Sequence, residues 1–158
     1  MNAAAAQAAT PPSFPAGMRP VVVTTGFRPR PQQAALRPLL KRFSVLVAHR
    51  RFGKTVFCVN HLIDKALRLK DSRFAYVAPL RNQAKDVAWE YLKQYTGPIL
   101  RALGPDAKPL GEVNESELRV DLPNAARIRI YGGDNPDQLR GIGLDGVVMD
   151  EYGQMHPR

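Results

Sequence analysis

An open α/β sheet, mostly parallel, with flanking helices and a β-hairpin insertion, is the fold the sequence predicts. Three observations carry that reading. Short apolar runs at Ser44–Ala48, Arg73–Ala78 and Leu144–Met149 have the length and continuity of buried strands. Helical patterns are interleaved with them, one beginning at Gly53-Lys54-Thr55 and one over Leu80–Tyr95, and such alternation implies parallel neighbours joined by crossovers. Finally, Glu117–Leu122 and Ala126–Tyr131 alternate polar and apolar residues around Pro123-Asn124-Ala125, the pattern of a hairpin.

Each element follows from its residues. The first twenty are rich in Ala and contain Pro11, Pro12, Pro15 and Pro20, so residues 1–20 read as a disordered tail and 21–158 as one domain. Val21–Thr25 is a short β-prone run. A helix is expected from Arg30 to Lys41, starting near Pro31, which a first turn tolerates, and distorted at its end by Pro38. After Gly53, the residues Val56, Val59, His61-Leu62-Ile63, Ala66-Leu67 and Leu69 form a broad apolar helical face. In Leu80–Tyr95, the residues Ala84, Val87-Ala88, Tyr91-Leu92 and Tyr95 share one face, and Trp89 reads as core. Gly97 and Pro98 are expected to break that helix, with a short one starting at Ile99–Leu103. Gly104–Asn114 reads as a loop, and Asp134–Leu139 as a turn or short helix.

Composition sets bounds. The chain has 158 residues, room for one domain. A hydrophobic content of 44% and a mean hydropathy of −0.29 fit a globular class. No stretch approaches the length of a membrane span, and the N-terminus lacks the charged segment and leucine-rich core of a signal peptide. The single Cys58 has no internal disulfide partner and reads as a small buried hydrophobe in a reducing compartment. His49, His61 and His156 lack ligand spacing, so no zinc is expected. Charge is unevenly placed. Nine basic residues precede the first acid, Asp64, while the rest of the chain is balanced, so the net +9 resides in the first 63 positions. Such a surface favours polyanions, both nucleotide phosphates and a DNA backbone.

Two stretches carry chemistry. Residues 48–55 read Ala-His-Arg-Arg-Phe-Gly-Lys-Thr, a phosphate-binding loop in all but its opening glycine, where Ala48 stands. In such a loop, backbone N–H groups from Ala48, His49, Arg50, Arg51 and Phe52 onward cradle phosphate together with the helix N-terminus. Gly53 permits close backbone approach, Lys54 reaches the β- and γ-phosphates of ATP, and the Thr55 hydroxyl is a Mg²⁺ ligand. Arg50 and Arg51 add two cations that repel unless an anion lies between them, and one can stabilise charge at the γ-phosphate. Residues 147–151 read Val-Val-Met-Asp-Glu, an apolar strand ending in paired acids. Asp150 is placed to hold the Mg²⁺ hydration shell, and Glu151 to orient or deprotonate the attacking water.

These residues resemble the N-terminal ATPase portion of the large terminase subunit of tailed bacteriophages, the motor that packages DNA. Phe27-Arg28-Pro29-Arg30-Pro31-Gln32-Gln33 resembles the family's adenine-recognition segment, with Gln33 on its glutamine. Ala48–Thr55 resembles its variant loop, with Arg50 on the early arginine. Tyr76-Val77-Ala78-Pro79, Gln83-Ala84-Lys85 and Trp89 resemble the next strand–helix unit, and Leu139-Arg140-Gly141 with Leu144–Glu151 the approach to the acidic motif. The resemblance covers roughly Phe27 to Met155. It implies ATP hydrolysis coupled to translocation of double-stranded DNA. It further implies a ring of copies, a small terminase subunit and a portal protein as partners, and action in the host cytoplasm. In the family a coupling motif and a nuclease domain follow, and neither is present in these residues, so the chain reads as a fragment. In the wider class of P-loop ATPases, the strand after the acidic motif lies between that motif's strand and the loop's strand. Ser44–Ala48 and Leu144–Met149 are therefore expected to lack a shared neighbour. Two further readings remain open: a helicase-like DNA translocase, and a remnant that binds nucleotide or DNA without turnover.

Overall fold

The computed structural model describes residues 24–101 and 110–155. The tail reading of 1–20, the start of the Val21–Thr25 run and most of the Gly104–Asn114 loop lie outside those residues.

The sheet has five strands: β1 Arg73–Ala78, β2 Glu112–Asn114, β3 Arg119–Asp121, β4 Arg127–Gly132 and β5 Gly146–Met149, in the spatial order β2-β3-β4-β1-β5. Strand β1 pairs in parallel with β4 on one side and β5 on the other. The β2–β3 and β3–β4 pairs are antiparallel. The parallel part is thus three strands wide, and the antiparallel part is the predicted hairpin widened by one strand. Strand β2 was not expected, since Glu112–Asn114 fell in the Gly- and Pro-rich loop. Three residues carry no usable periodicity, and Val113 pairing with Val120 across the ladder is what defines them.

Helix α1, Pro31–Leu36, begins at the proline and gives way to a 3₁₀ turn, Arg37–Leu39, which contains Pro38. Helix α2, Lys54–Arg68, packs its buried Phe57, Val59, Leu62, Ile63 and Ala66 toward the sheet. Its C-terminal carbonyls are capped by the hairpin turn: Asn124 Nδ2 donates to Ala66 O at 2.7 Å and to Leu67 O at 3.2 Å. After β1 comes a longer helical stretch, α3 Arg81–Ala84, a π-helical turn Lys85–Trp89, and α4 Glu90–Leu100. Gly97 and Pro98 do not end it, contrary to the sequence reading. Pro98 removes one ladder donor, but Ile99 and Leu100 beyond it are buried in the core, and that burial holds the last turn. Thr96, fully buried, donates to Leu92 O at 2.6 Å one turn before.

The main core lies between the helices and one face of the sheet. Phe74, Tyr76, Ile128, Ile130 and Val120 meet Leu62, Ile63, Trp89 and Leu92 there. The only polar atom of Trp89 is satisfied by Glu115 Oε2 at 2.7 Å. The opposite face is thinly covered. Ala75, Val77 and Tyr131 pack against Leu139, Ile142, Leu144 and Met155 from the connection into and out of β5.

One expected strand is absent. Ser44–Ala48 forms no ladder with any described residue, and Val45 and Val47 are 93% and 90% exposed. The apolar content is right for a strand, but a strand needs a neighbour to receive its hydrogen bonds. Among the described residues, strand β5 is bonded on one side only, to β1, and Val147 and Met149 are exposed.

Candidate functional site

The site assembles at the carboxyl ends of β1 and β5, where open α/β sheets hold their ligands. Two chain segments meet there: the loop entering α2 and the turn leaving β5.

The loop is shaped by backbone conformation. Gly53 has φ +82° and ψ 40°, the left-handed region, and caps α2. A Cβ added at Gly53 would stand 2.9 Å from Gln33 Nε2, so both conformation and space favour glycine. Arg51 is also left-handed, at φ 67°. The first intrahelical bond is Phe57 N–H to Gly53 O at 3.0 Å. The N–H groups of Lys54, Thr55 and Val56 therefore have no intrahelical acceptor and open onto the loop.

Helix α1 holds this loop from behind. Gln33 is 3% exposed and donates through Nε2 to Phe52 O at 2.9 Å and Gly53 O at 3.3 Å. Its Oε1 accepts from Arg30 N–H at 3.0 Å. Arg30 Nη1 donates to Arg51 O at 2.5 Å. His49, Arg50 and Arg51 lie at the exposed tip, with His49 Nδ1 2.5 Å from Arg50 O and its ring edge-on to Phe52. Ala48, half-buried, precedes them outside the sheet.

The acids come to this loop. Lys54 Nζ and Glu151 Oε1 are 3.3 Å apart, across 97 positions of sequence. Glu151 sits at φ 49° and ψ 42°, a left-handed conformation that a glutamate rarely takes. Asp150 remains tied to the sheet, its N–H donating to Val77 O at 2.8 Å. Both of its carboxylate oxygens are engaged: Oδ1 accepts from Glu151 N–H at 3.0 Å, and Oδ2 from the Tyr76 hydroxyl at 2.5 Å. Burial first, then the bond to the Asp150 carboxylate, push the Tyr76 phenol well above the usual tyrosine range, so its proton stays in place. Cys58, one turn along α2 from Lys54, is pushed up to about 11 by burial and by Asp150, against a smaller opposing pull from Lys54.

The structure thus brings Gln33, Gly53, Lys54, Thr55, Asp150 and Glu151 to one edge and leaves Arg50 and Arg51 at its rim. Sequence reasoning missed Tyr76. The available signal was a tyrosine in the otherwise apolar run Phe74–Ala78, whose buried hydroxyl must find a partner.

The donor set fits a magnesium-bound nucleotide. A carboxylate and a helix-start hydroxyl are hard oxygen ligands, and three open N–H groups with a lysine suit phosphate oxygens. The fold is P-loop-like. Among solved structures, it is similar to the large terminase ATPase domain of Thermus phage P74-26, with a TM-score of 0.59 and 21% identity over 84% of this chain. A point mutant of that domain matches at a TM-score of 0.62 and 20% identity. The likeness shows the fold, and the chain spans 57% of the length of each of those structures. No family profile matches the sequence. No curated protein sequence matches it either.

Proposed function

We propose that the chain is the nucleotide-binding part of an ATP-driven motor of the phage DNA-packaging kind, hydrolysing ATP to ADP and phosphate while double-stranded DNA is moved. The observation that supports it best is the 3.3 Å approach of Lys54 to Glu151, which joins the loop to the acidic pair at one sheet edge. In this reading the backbone from Ala48 to Gly53 surrounds the β-phosphate, and Lys54 neutralises the β- and γ-phosphates. Arg50 or Arg51 meets the γ-phosphate from the rim. Thr55 and Asp150 hold Mg²⁺, which when bound offsets charge on the β- and γ-oxygens. Glu151 Oε1 lies 3.3 Å from Lys54 Nζ. A γ-phosphate competes for the lysine and frees the carboxylate to orient and deprotonate water. Gln33 supports the loop, and the adenine contact that the resemblance implies for it requires its side chain, 3% exposed, to leave those bonds. The ring of copies, the small terminase subunit and the portal protein belong to the same proposal, as does action in the host cytoplasm. Among the described residues, no helix is long and apolar enough to cross a membrane.

A second reading is a domain that binds nucleotide without turning it over. It is favoured by Ser44–Ala48, which has no sheet partner among the described residues to support the segment leading into the loop. Phosphate release by the purified chain, measured with and without double-stranded DNA, separates the two. ATP binding with DNA-stimulated release supports the motor. Binding without release supports the second reading, and absence of ATP binding contradicts both.

A further inference from the structure

The geometry points to Tyr76 as a positioning residue that orients Asp150 toward Mg²⁺. The inference rests on the nucleotide site proposed above and deepens it. Tyr76 lies on the central strand β1, paired with Ile130 on one side and Val148 on the other, so its backbone has little freedom. Its ring is 2% exposed in the main core beneath α2. From there the hydroxyl reaches the carboxyl edge and donates to Asp150 Oδ2 at 2.5 Å. One buried hydroxyl therefore holds the carboxylate assigned to the metal.

That placement has a physical consequence. A carboxylate at the end of a strand can rotate about its side-chain torsions, and each rotamer presents its oxygens differently. Asp150 has Oδ1 fixed by Glu151 N–H and Oδ2 fixed by Tyr76, so a single orientation is selected. Partners behind metal ligands act in this way, and removing one typically weakens metal affinity about 10- to 100-fold. A phenylalanine keeps the ring, and with it the packing against the core, and deletes only the hydroxyl.

The test compares the parent chain with Tyr76→Phe by calorimetric titration of ATP, once with Mg²⁺ and once with EDTA, with a melting curve for each protein. We expect the affinity gained on adding Mg²⁺ to shrink about 10-fold or more in the variant, while affinity in EDTA stays at the parent value. A variant that keeps the parent's full Mg²⁺ gain overturns the assignment of Tyr76 and leaves the nucleotide site standing. A parent chain that gains nothing from Mg²⁺ overturns the metal site itself, which is a different result. If Tyr76→Phe also melts early, a cycle with Asp150→Asn decides. A positioning role predicts that Tyr76→Phe removes no further Mg²⁺ gain once Asp150 is an amide. An undiminished loss in that background marks Tyr76 as merely structural.

Discussion

Lys54 and Glu151 pair at 3.3 Å, and the glutamate has a left-handed backbone. Both side chains are partly solvated, so the pair itself contributes little stability. In the proposed reading its importance is positional, since it places a carboxylate beside the lysine assigned to the γ-phosphate. Glu151→Gln keeps size and some hydrogen bonding but accepts no proton. We expect that variant to bind ATP as the parent does, with any phosphate release falling by about 10²–10⁴-fold. A rate above about half the parent's in a phosphate-release assay removes Glu151 from the chemistry. At this scale the sequence was legible where a motif sets which segments meet. Gly53-Lys54-Thr55 and Asp150-Glu151 were expected to share one site, and the structure brings Lys54 within 3.3 Å of Glu151. The bonds from Gln33 to Phe52 and Gly53 were not legible, because no local pattern says which carbonyl a glutamine will meet nineteen residues away.

Helix α2 ties the site to the core, and His61 records its environment. The ring stacks near Phe57 at 6.3 Å, and Nδ1 is buried with no hydrogen-bond partner among the described residues. Burial first, then Lys65 and Arg37, hold its pKa below the ordinary 6.5, with Asp64 opposing them. The folded state therefore prefers the neutral ring, while the unfolded chain takes up a proton near the ordinary value. Stability from this group is complete above pH 6.5 and is lost as pH falls from there through the lower folded value. Melting temperatures should drop on acidification through that window, and His61→Gln should flatten the drop. An unchanged pH profile in that variant assigns the acid sensitivity elsewhere. The strands and helices show what periodicity can and cannot carry. Strand β1 runs from Arg73 to Ala78 as its apolar run predicts, because a central parallel strand is buried on both faces. Pro98 misled because tertiary burial of Ile99 and Leu100 outweighs a local breaker. Ser44–Ala48 misled because composition describes a strand's burial and says nothing of its partners.

For the molecule as a whole, two features point outward. One is charge: Arg28, Arg30, Lys41, Arg42, Arg50 and Arg51 are all exposed on the side of the chain that precedes the first acid. Binding to double-stranded DNA should be independent of sequence and fall steeply with salt, with a log–log slope of about −0.9 per phosphate contact. Affinity that is flat with salt, or that follows one DNA sequence, contradicts that view. The other is the sheet edge. Strand β5 offers unpaired backbone groups beside exposed Val147 and Met149, and Val45 and Val47 add apolar surface nearby in sequence to the loop. Such edges recruit other strands. The chain should self-associate in sedimentation experiments, and Val147→Lys should reduce that association. A monodisperse parent at all concentrations contradicts it.

The central claim is that the Gly53-Lys54-Thr55 helix start holds the phosphates of ATP. Calorimetric titration of Mg²⁺–ATP into the parent chain and into Lys54→Ala tests it most directly. The lysine supplies the only side-chain cation of the loop held at the acidic pair, facing Glu151 at 3.3 Å. Its loss should abolish measurable binding while the melting temperature stays near that of the parent. A Lys54→Ala chain that binds Mg²⁺–ATP as tightly as the parent contradicts the claim.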